Sequence, residues 1–367
     1  MDERNILTLI TGGYEHRGMA AGRVDIDLES AYRSFSFDLT PSWPGESNPV
    51  RVYPGDSCDL LIGDDLVLRG WVDSVSVNAG GGPLTITGRS KTADLADCSC
   101  IPADGRNSLS WKSQTVGEIA ADLASPYGVD VVDSVGDTER VDFRAKVDET
   151  AYSAIERLAR ESQALVTDDA AGRLVLMRPG TTRGPAFILP GNIQSGATAT
   201  HDASKRFTEY VVRGQTKGTD ANYYTAQASR VVAFDDWSAR KRVHTIVAER
   251  KMNAAACARR AIWEAVTRAG RAITCSLPVS SWRDESGVLY AVGTLCYVEA
   301  VPLGIKGDMV LSSIGFAIDR QTMTATLGMT LPGMYAPEAE RTKAAPTRPR
   351  VKPATTAPAD GYWRGEV

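Results

Sequence analysis

The side chains best suited to chemistry are few and scattered. The 367-residue chain holds three histidines and six cysteines. His16, His201 and His244 lie in separate segments without an H-x-x-x-H or C-x-x-C partner, whereas a zinc site needs four convergent ligands. Cys58, Cys98, Cys100, Cys257, Cys275 and Cys296 read as small buried hydrophobes of a protein made in a reducing cytoplasm. Cys98 and Cys100 stand too close in sequence for a usual zinc clamp. No G-x-S-x-G elbow or S-x-x-K run marks a serine nucleophile. Gly80-Gly81-Gly82 has no following Lys-Ser/Thr and reads as a turn rather than a phosphate loop. Asp64-Asp65 and Asp235-Asp236 fall in turns, while glycoside hydrolysis wants two carboxylates about 5–10 Å apart across a cleft. The expectation is no catalytic residue, no cofactor site and no metal site.

Charge carries more signal. The net charge of −4 hides two opposite blocks. Residues 1–107 hold 9 basic against 16 acidic side chains, a balance of −7, and residues 200–271 hold 14 against 7, a balance of +7. Such a split suits partner surfaces or contacts between copies of the chain, although solvated faces of separate domains would also produce it. Lys251, Arg259, Arg260, Arg268 and Arg271 make the segment 252–271 basic. Nucleic-acid binding would want aromatics interleaved on that face, and only Trp263 qualifies. Contact with an acidic protein surface is the better reading, with phosphate binding the weaker one. Arg259, Arg260, Arg268 and Arg271 are therefore the candidate inter-subunit contacts.

The elements that must carry these residues change type along the chain. Residues 4–90 alternate apolar and polar positions, as at Val24, Ile26 and Leu28 and at Phe35, Phe37 and Leu39, the period of half-buried strands. Pro41, Pro44, Pro49 and Pro54 break this region in two. Helical spacing appears at 116–123 and again at Ile155, Leu158 and Ala159, with a hairpin whose turn is Asp168 to Gly172. Strands return after about 205, interrupted by a long helix at 252–271. Residues 336–367 hold five prolines and almost no aliphatic side chains, so they cannot build a core of their own. No apolar run approaches the ~18–20 residues that span a bilayer. The start, MDERNILTLITGG, lacks the basic and apolar regions of a signal peptide.

An internal echo organises these pieces. GDSC at 55–58 and GTLC at 293–296 each enter a strand, followed by an acidic turn, an apolar strand and a Thr/Leu-rich strand. The fold expected is α+β and β-rich: two related β-barrels split by a small α/β insert, ending in a Pro-rich tail. The boundaries expected are 1–107, 108–199, 200–335 and 336–367. Chance similarity of β-hairpins is the competing explanation of the echo.

Several blocks also carry a family resemblance. ITGRSKTADLADCSC (86–100), LASPYGVDV (123–131), YSAIERLARESQALVTDDAAGRLVL (152–176), DASKRFTEYVVRGQ (202–215) and the stretch 257–290 resemble baseplate hub proteins of Mu-like contractile-tailed bacteriophages. The resemblance covers about residues 5–335, and the blocks keep their order. It implies a non-enzymatic homotrimer, related to the base of type VI secretion spikes. Two barrels per chain would alternate around a ring that joins the six-fold tail tube to the three-fold central spike. Its implied partners are the spike, the tube or its initiator and other baseplate proteins, with phage DNA passing through the lumen. The implied location is the virion tail baseplate after synthesis in the host cytoplasm. The rival readings are a tail-associated peptidoglycan hydrolase and a secretion-system spike component.

Overall fold

The structure is a computed structural model. It describes residues 3–17, 19, 21–39, 52–77, 83–105, 108–136, 138–162, 164–180, 182–214, 229–248, 254–319 and 322–335. The breaks expected at Pro41, Pro44 and Pro49, the glycine turn at 80–82, Lys251 and the Pro-rich tail lie outside these residues.

Seven strands open the chain: β1 (Leu7–Thr11), β2 (Tyr14–Arg17), β3 (Ala21–Asp27), β4 (Ser34–Leu39), β5 (Ser57–Ile62), β6 (Asp65–Ser76) and β7 (Leu84–Ser90). The short helix α1 (Ala93–Asp97) leads into β8 (Ser110–Gln114), α2 (Val116–Ala124), β9 (Val131–Asp133) and β10 (Val141–Arg144). Next come α3 (Ala151–Glu161), β11 (Leu165–Asp168) and β12 (Leu174–Met177), then β13 (Arg183–Ile188) and β14 (Thr198–His201). The remainder is β15 (Glu209–Gly214), β16 (Ser229–Phe234), β17 (Val243–Val247), α4 (Ala254–Arg271), β18 (Ile273–Val279), β19 (Leu295–Ala300), β20 (Ile305–Asp319) and β21 (Thr322–Thr330).

Thirteen strands form one sheet in the order β14-β18-β21-β20-β3-β4-β7-β6-β5-β1-β2, with β19 and β13 branching from β20. The halves meet where β3 pairs antiparallel with β20, from Ala21 opposite Asp319 to Asp27 opposite Ser313. Val24 and Ile26 on one side of this ladder and Ile314 and Phe316 on the other enter a single apolar core. Two barrels were expected. Among the described residues neither half closes on itself by strand pairing, because the free edge of β3 is taken by β20.

The sequence echo has a structural counterpart. The meander β5-β6-β7 and the meander β19-β20-β21 share strand order and antiparallel sense. Each middle strand has a bulge where it meets the third, between Val72 and Ser74 and between Leu311 and Ser313. Aligning the bulges puts Trp71 on Val310, and hence Ser57 on Leu295 and Cys58 on Cys296. The entry turns agree as well. Gly55 N donates to Val72 O and Val72 N to Asp56 O, while Gly293 N donates to Leu311 O and Leu311 N to Thr294 O, all at 2.8–3.0 Å. Both glycines have positive φ, +93° and +84°, a conformation that L side chains rarely adopt. Gly55→Ala should cost about 1 kcal/mol or more through backbone strain alone. Gly293→Ala should cost more, since its Cβ would also sit 3.1 Å from Met177 Cε. Denaturant unfolding of the two variants checks the order.

The α/β module is built from local signals. Thr115 caps α2, its hydroxyl accepting from Glu118 N while Glu118 accepts from Thr115 N, the reciprocal arrangement that satisfies two free helix-end donors. Ile119, Ala120 and Leu123 of α2 and Ala154, Ile155 and Leu158 of α3 bury against β11 and β12 in a core of their own. Before α3, the Glu149 carboxylate accepts from Arg157 Nε at 3.0 Å, Arg157 Nη2 at 2.8 Å and Lys146 N at 3.0 Å. These contacts hold Glu149 below the usual carboxylate range, the Arg157 hydrogen bonds first. A carboxyl whose folded pKa is depressed stabilises the fold above its unfolded pKa, and that contribution is lost as pH falls through the folded value. Thermal stability of the module should therefore drop as pH falls below about 4.5. Glu149→Gln should lower stability at neutral pH and flatten that acid limb, as melting curves across pH would read.

Elsewhere the boundaries differ from expectation. β13 falls within the segment expected to be insert and β14 straddles its end, yet they pair with β19 and β18 of the large sheet. β13 opens on Arg-Gly-Pro and β14 has only four residues, so neither carries a run of alternation long enough to announce this. The strands β15, β16 and β17, expected in the second barrel, form a separate three-stranded sheet, with β15 central. They belong to a distinct compact unit, Phe207–Ala265, while the described residues up to Arg206 and from Val266 form the other. In that smaller unit Val212, Cys257 and Ala261 make the core, so β15 packs on α4.

Candidate functional site

The structure leaves the chemically able side chains apart. Burial pushes the Cys58 thiol up to about 12 and those of Cys100 and Cys275 up to about 11, and a thiol held protonated is a poor nucleophile. His16 is buried on β2, and burial lowers its pKa. His201 lies exposed on β14, its Nε2 3.3 Å from Leu303 O. His244, on β17 in the smaller unit, stacks on Phe207 at 4.8 Å. Among the described residues no three His, Cys, Asp or Glu side chains group as metal ligands. Asp64 sits in the β5–β6 turn and Asp65 is bound to Arg283 at 2.7 Å, the geometry of a structural turn.

The four candidate arginines are not one cluster. Arg260 donates to Glu264 at 2.8 Å one helical turn on and lies over the Trp263 ring at 4.5 Å. Arg259 is exposed. Both belong to the smaller unit. Arg268 and Arg271 belong to the larger one, where Arg268 Nη1 reaches Lys205 O at 3.4 Å and Arg271 pairs with Glu29 at 2.8 Å. Of the four, Arg260 and Arg271 are thus committed to carboxylates of their own chain.

A shallow hollow of about 320 Å³ opens beside β6, lined by Gly55, Trp71, Asp73, Arg89 and Asp94 among others. Arg89 bridges Asp73 at 2.6 Å and Asp97 at 2.8 Å. Asp94 is raised above the usual range, by burial first and then by neighbouring Asp97. The hollow's charges are thus largely spent on one another, which suits packing rather than turnover.

Comparison with known proteins agrees with a structural part. Residues 6–90 match the N-terminal domain of Mu phage baseplate assembly protein GpP-like. Residues 92–178 match the second domain of baseplate hub protein gp44-like, and residues 253–338 the fourth domain of GpP. Baseplate hub protein gp44 of Escherichia phage Mu is 30% identical over 320 residues, 84% of this chain and 83% of that protein. The chain belongs to the Mu gp44 baseplate hub family. In fold it is similar to the 43 kDa tail protein of prophage MuSo2 from Shewanella oneidensis, with TM-score 0.77, 24% identity and coverage of 90% of this chain and 100% of that one. It is also similar to a tail protein from Neisseria meningitidis MC58, with TM-score 0.76, 22% identity and coverage of 91% and 98%.

Two half-buried arginines that sequence reasoning did not single out tie this baseplate hub chain together. Arg33, between β3 and β4, faces Asp168 at the end of β11. Its backbone N donates to Oδ2 at 3.1 Å, Nε to Oδ1 at 3.2 Å, Nη2 to Asp168 O at 3.2 Å and Nη1 to Val67 O at 2.8 Å. The Asp168 side chain is 1% exposed. Burial pushes its carboxyl up, and Arg33 with the Ser90 hydroxyl pulls it only part of the way back. Arg283 is the second tie, with five acceptors: Asn5 Oδ1, Asp65 and the carbonyls of Arg4, Ile62 and Gly287, at 2.7–3.1 Å. It fastens the loop after β18 to the β5–β6 turn of the first half. Either arginine would stand out only once its partners, far away in sequence, are known. Asp168→Ala takes the carboxylate from a half-buried guanidinium and should cost roughly 2–3 kcal/mol, below the figure for a fully buried pair. The double change Arg33→Met with Asp168→Leu should recover most of that loss, which a denaturant double-mutant cycle would measure.

Proposed function

We propose that three copies of this chain form the central ring of a contractile-tail baseplate, joining the six-fold tail tube to the three-fold spike. The observation that carries this reading is the internal duplication, within a chain of the baseplate hub family. Two meanders of matched register per chain offer six similar positions from three chains. The work is assembly: the ring holds spike and first tube ring until contraction drives them into the envelope, and its lumen is the route for phage DNA. The partners are the spike, the tube or its initiator and neighbouring baseplate proteins, and the location is the virion tail. The relatives are named as baseplate hub and tail proteins, and the reading assigns this chain no reaction.

Charge fits such a ring. The −7 of residues 1–107 and the +7 of residues 200–271 would meet at each head-to-tail junction. Complementary fields favour the correct register and penalise pairing of like surfaces more than they add affinity. Rim charges are screened over a Debye length of about 8 Å at physiological salt. Light scattering of the purified chain should give about 118 kDa, three times the 39.4 kDa chain, with weaker association at high salt. Arg259→Glu should reduce both the association and its salt dependence. Arg260→Glu is the poorer probe, since it would set a carboxylate against Glu264 inside the chain. A chain that stays monomeric with its spike present would refute the ring.

A further inference from the structure

The duplication leaves two strand edges without the partner that their counterparts have. β20 uses one edge twice: residues 305–310 pair with β19, and residues 313–319 of the same edge pair with β3. β6 is its counterpart, and it uses the equivalent edge once, for β5, as far as Trp71. From Ser74 to Val77 that edge has no strand partner among the described residues. The counterpart of β3 is equally traceable. Ser36 of β4 lies opposite Thr87 and Arg23, and Ser276 of β18 lies opposite Gly328 and Thr198. Thr87 and Gly328 hold the same place relative to the bulges. β14 therefore stands where β3 stands. Yet β14 pairs only with β18 among the described strands, and its outer edge is open.

From this we infer that β14 of one copy adds to the open edge of β6 in the next copy, antiparallel, with His201 opposite Val75, Thr200 opposite Ser76 and Ala199 opposite Val77. The inference rests on the ring reading above and supplies the junction between chains. The register is that of the internal joint, where Ile26 faces Ile314, Asp25 faces Gly315 and Val24 faces Phe316. Exposure agrees. Phe316 is 2% exposed under β3, whereas its counterpart Val77 is 77% exposed. Six strands separate β14 from β6 in the sheet and the two do not pair within the chain, so the occupant is a second copy. Because the two edges differ, the contact is head-to-tail, the kind that closes into a ring. Main-chain ladders of this type take their affinity from backbone hydrogen bonds and their specificity from alternate side chains.

The test is cross-linking of the full chain. Residues directly opposite in an antiparallel pair hold their Cβ atoms about 4.5–5.5 Å apart, so Ser76→Cys with Thr200→Cys, oxidised with copper–phenanthroline, should give a covalent ladder of dimer and trimer. Its yield should exceed that of either single variant at least tenfold. It should equally exceed that of the out-of-register pair Ser76→Cys with Ala199→Cys, whose side chains leave opposite faces. Val77→Lys should leave the melting temperature of the chain unchanged, since the side chain is exposed, and weaken association at least tenfold. A particle of trimer mass with no in-register ladder overturns this junction and leaves the ring reading standing. A chain that stays monomeric at every concentration overturns both.

Discussion

The ladder between β3 and β20 is the contact on which the rest of the larger unit depends. A strand edge is a row of unpaired N–H and C=O groups, and leaving it bare invites the wrong partner. Seven consecutive pairs bind the two halves edge to edge. Because side chains alternate with a period of two, this register also decides which face is buried. Val24 and Ile26 fall on the same face as Ile314 and Phe316, so the halves share one apolar core rather than two adjoining ones. A slip of one residue would turn one strand's pair, Val24 with Ile26 or Ile314 with Phe316, toward water. The duplication is thus not two independent modules on a string but one body whose parts are fixed by a ladder.

What the ladder fixes, the two half-buried arginines reinforce. Arg283 crosses from the second half to the first, and Arg33 crosses from the sheet to the α/β module. Guanidinium suits both places because its planar fork serves several acceptors at fixed angles, where an ammonium would serve as a point charge. Neither tie adds much net stability, since desolvating a charge costs nearly as much as its pairing returns. Their effect is on geometry. A misplaced module would strand Asp168 or Arg283 without partners, so incorrect packings are raised in energy more than the correct one is lowered. For a part that must present surfaces at set angles, that asymmetry matters more than depth of the well.

Much of this was legible in the residues. The echo of GDSC and GTLC pointed to matched entry turns, and apolar spacing placed α2, α3 and the hairpin β11–β12, because those signals are local. The sharing of one sheet was not legible, since nothing in β3 or β20 states which strand lies beside it. β13 and β14 escaped because such short strands, one opening on Arg-Gly-Pro and the other of four residues, show too little alternation. The independence of Phe207–Ala265 escaped because β15 has the same apolar character as a strand of the large sheet. The basic helix was read as a surface for partners, and the structure spends Arg260 and Arg271 on Glu264 and Glu29. Charge counts register sign but not pairing. The Arg33–Asp168 contact spans 135 residues, and only a fold can bring such a pair together.

The two halves have diverged in a way that suits assembly. β1 pairs antiparallel with β5, whereas β13 pairs parallel with β19. β3 has seven residues with a buried apolar face, whereas β14 has four, three of them exposed. The joint made inside the chain is accordingly long and apolar, and the edge offered outside it is short and polar. A six-position ring built from identical single halves would need six equal joints, each formed by collision. Fusing the halves turns every second joint into an intramolecular one at high effective concentration. In such a ring the short outer joints would each need to add little, since closure by three chains makes them cooperative.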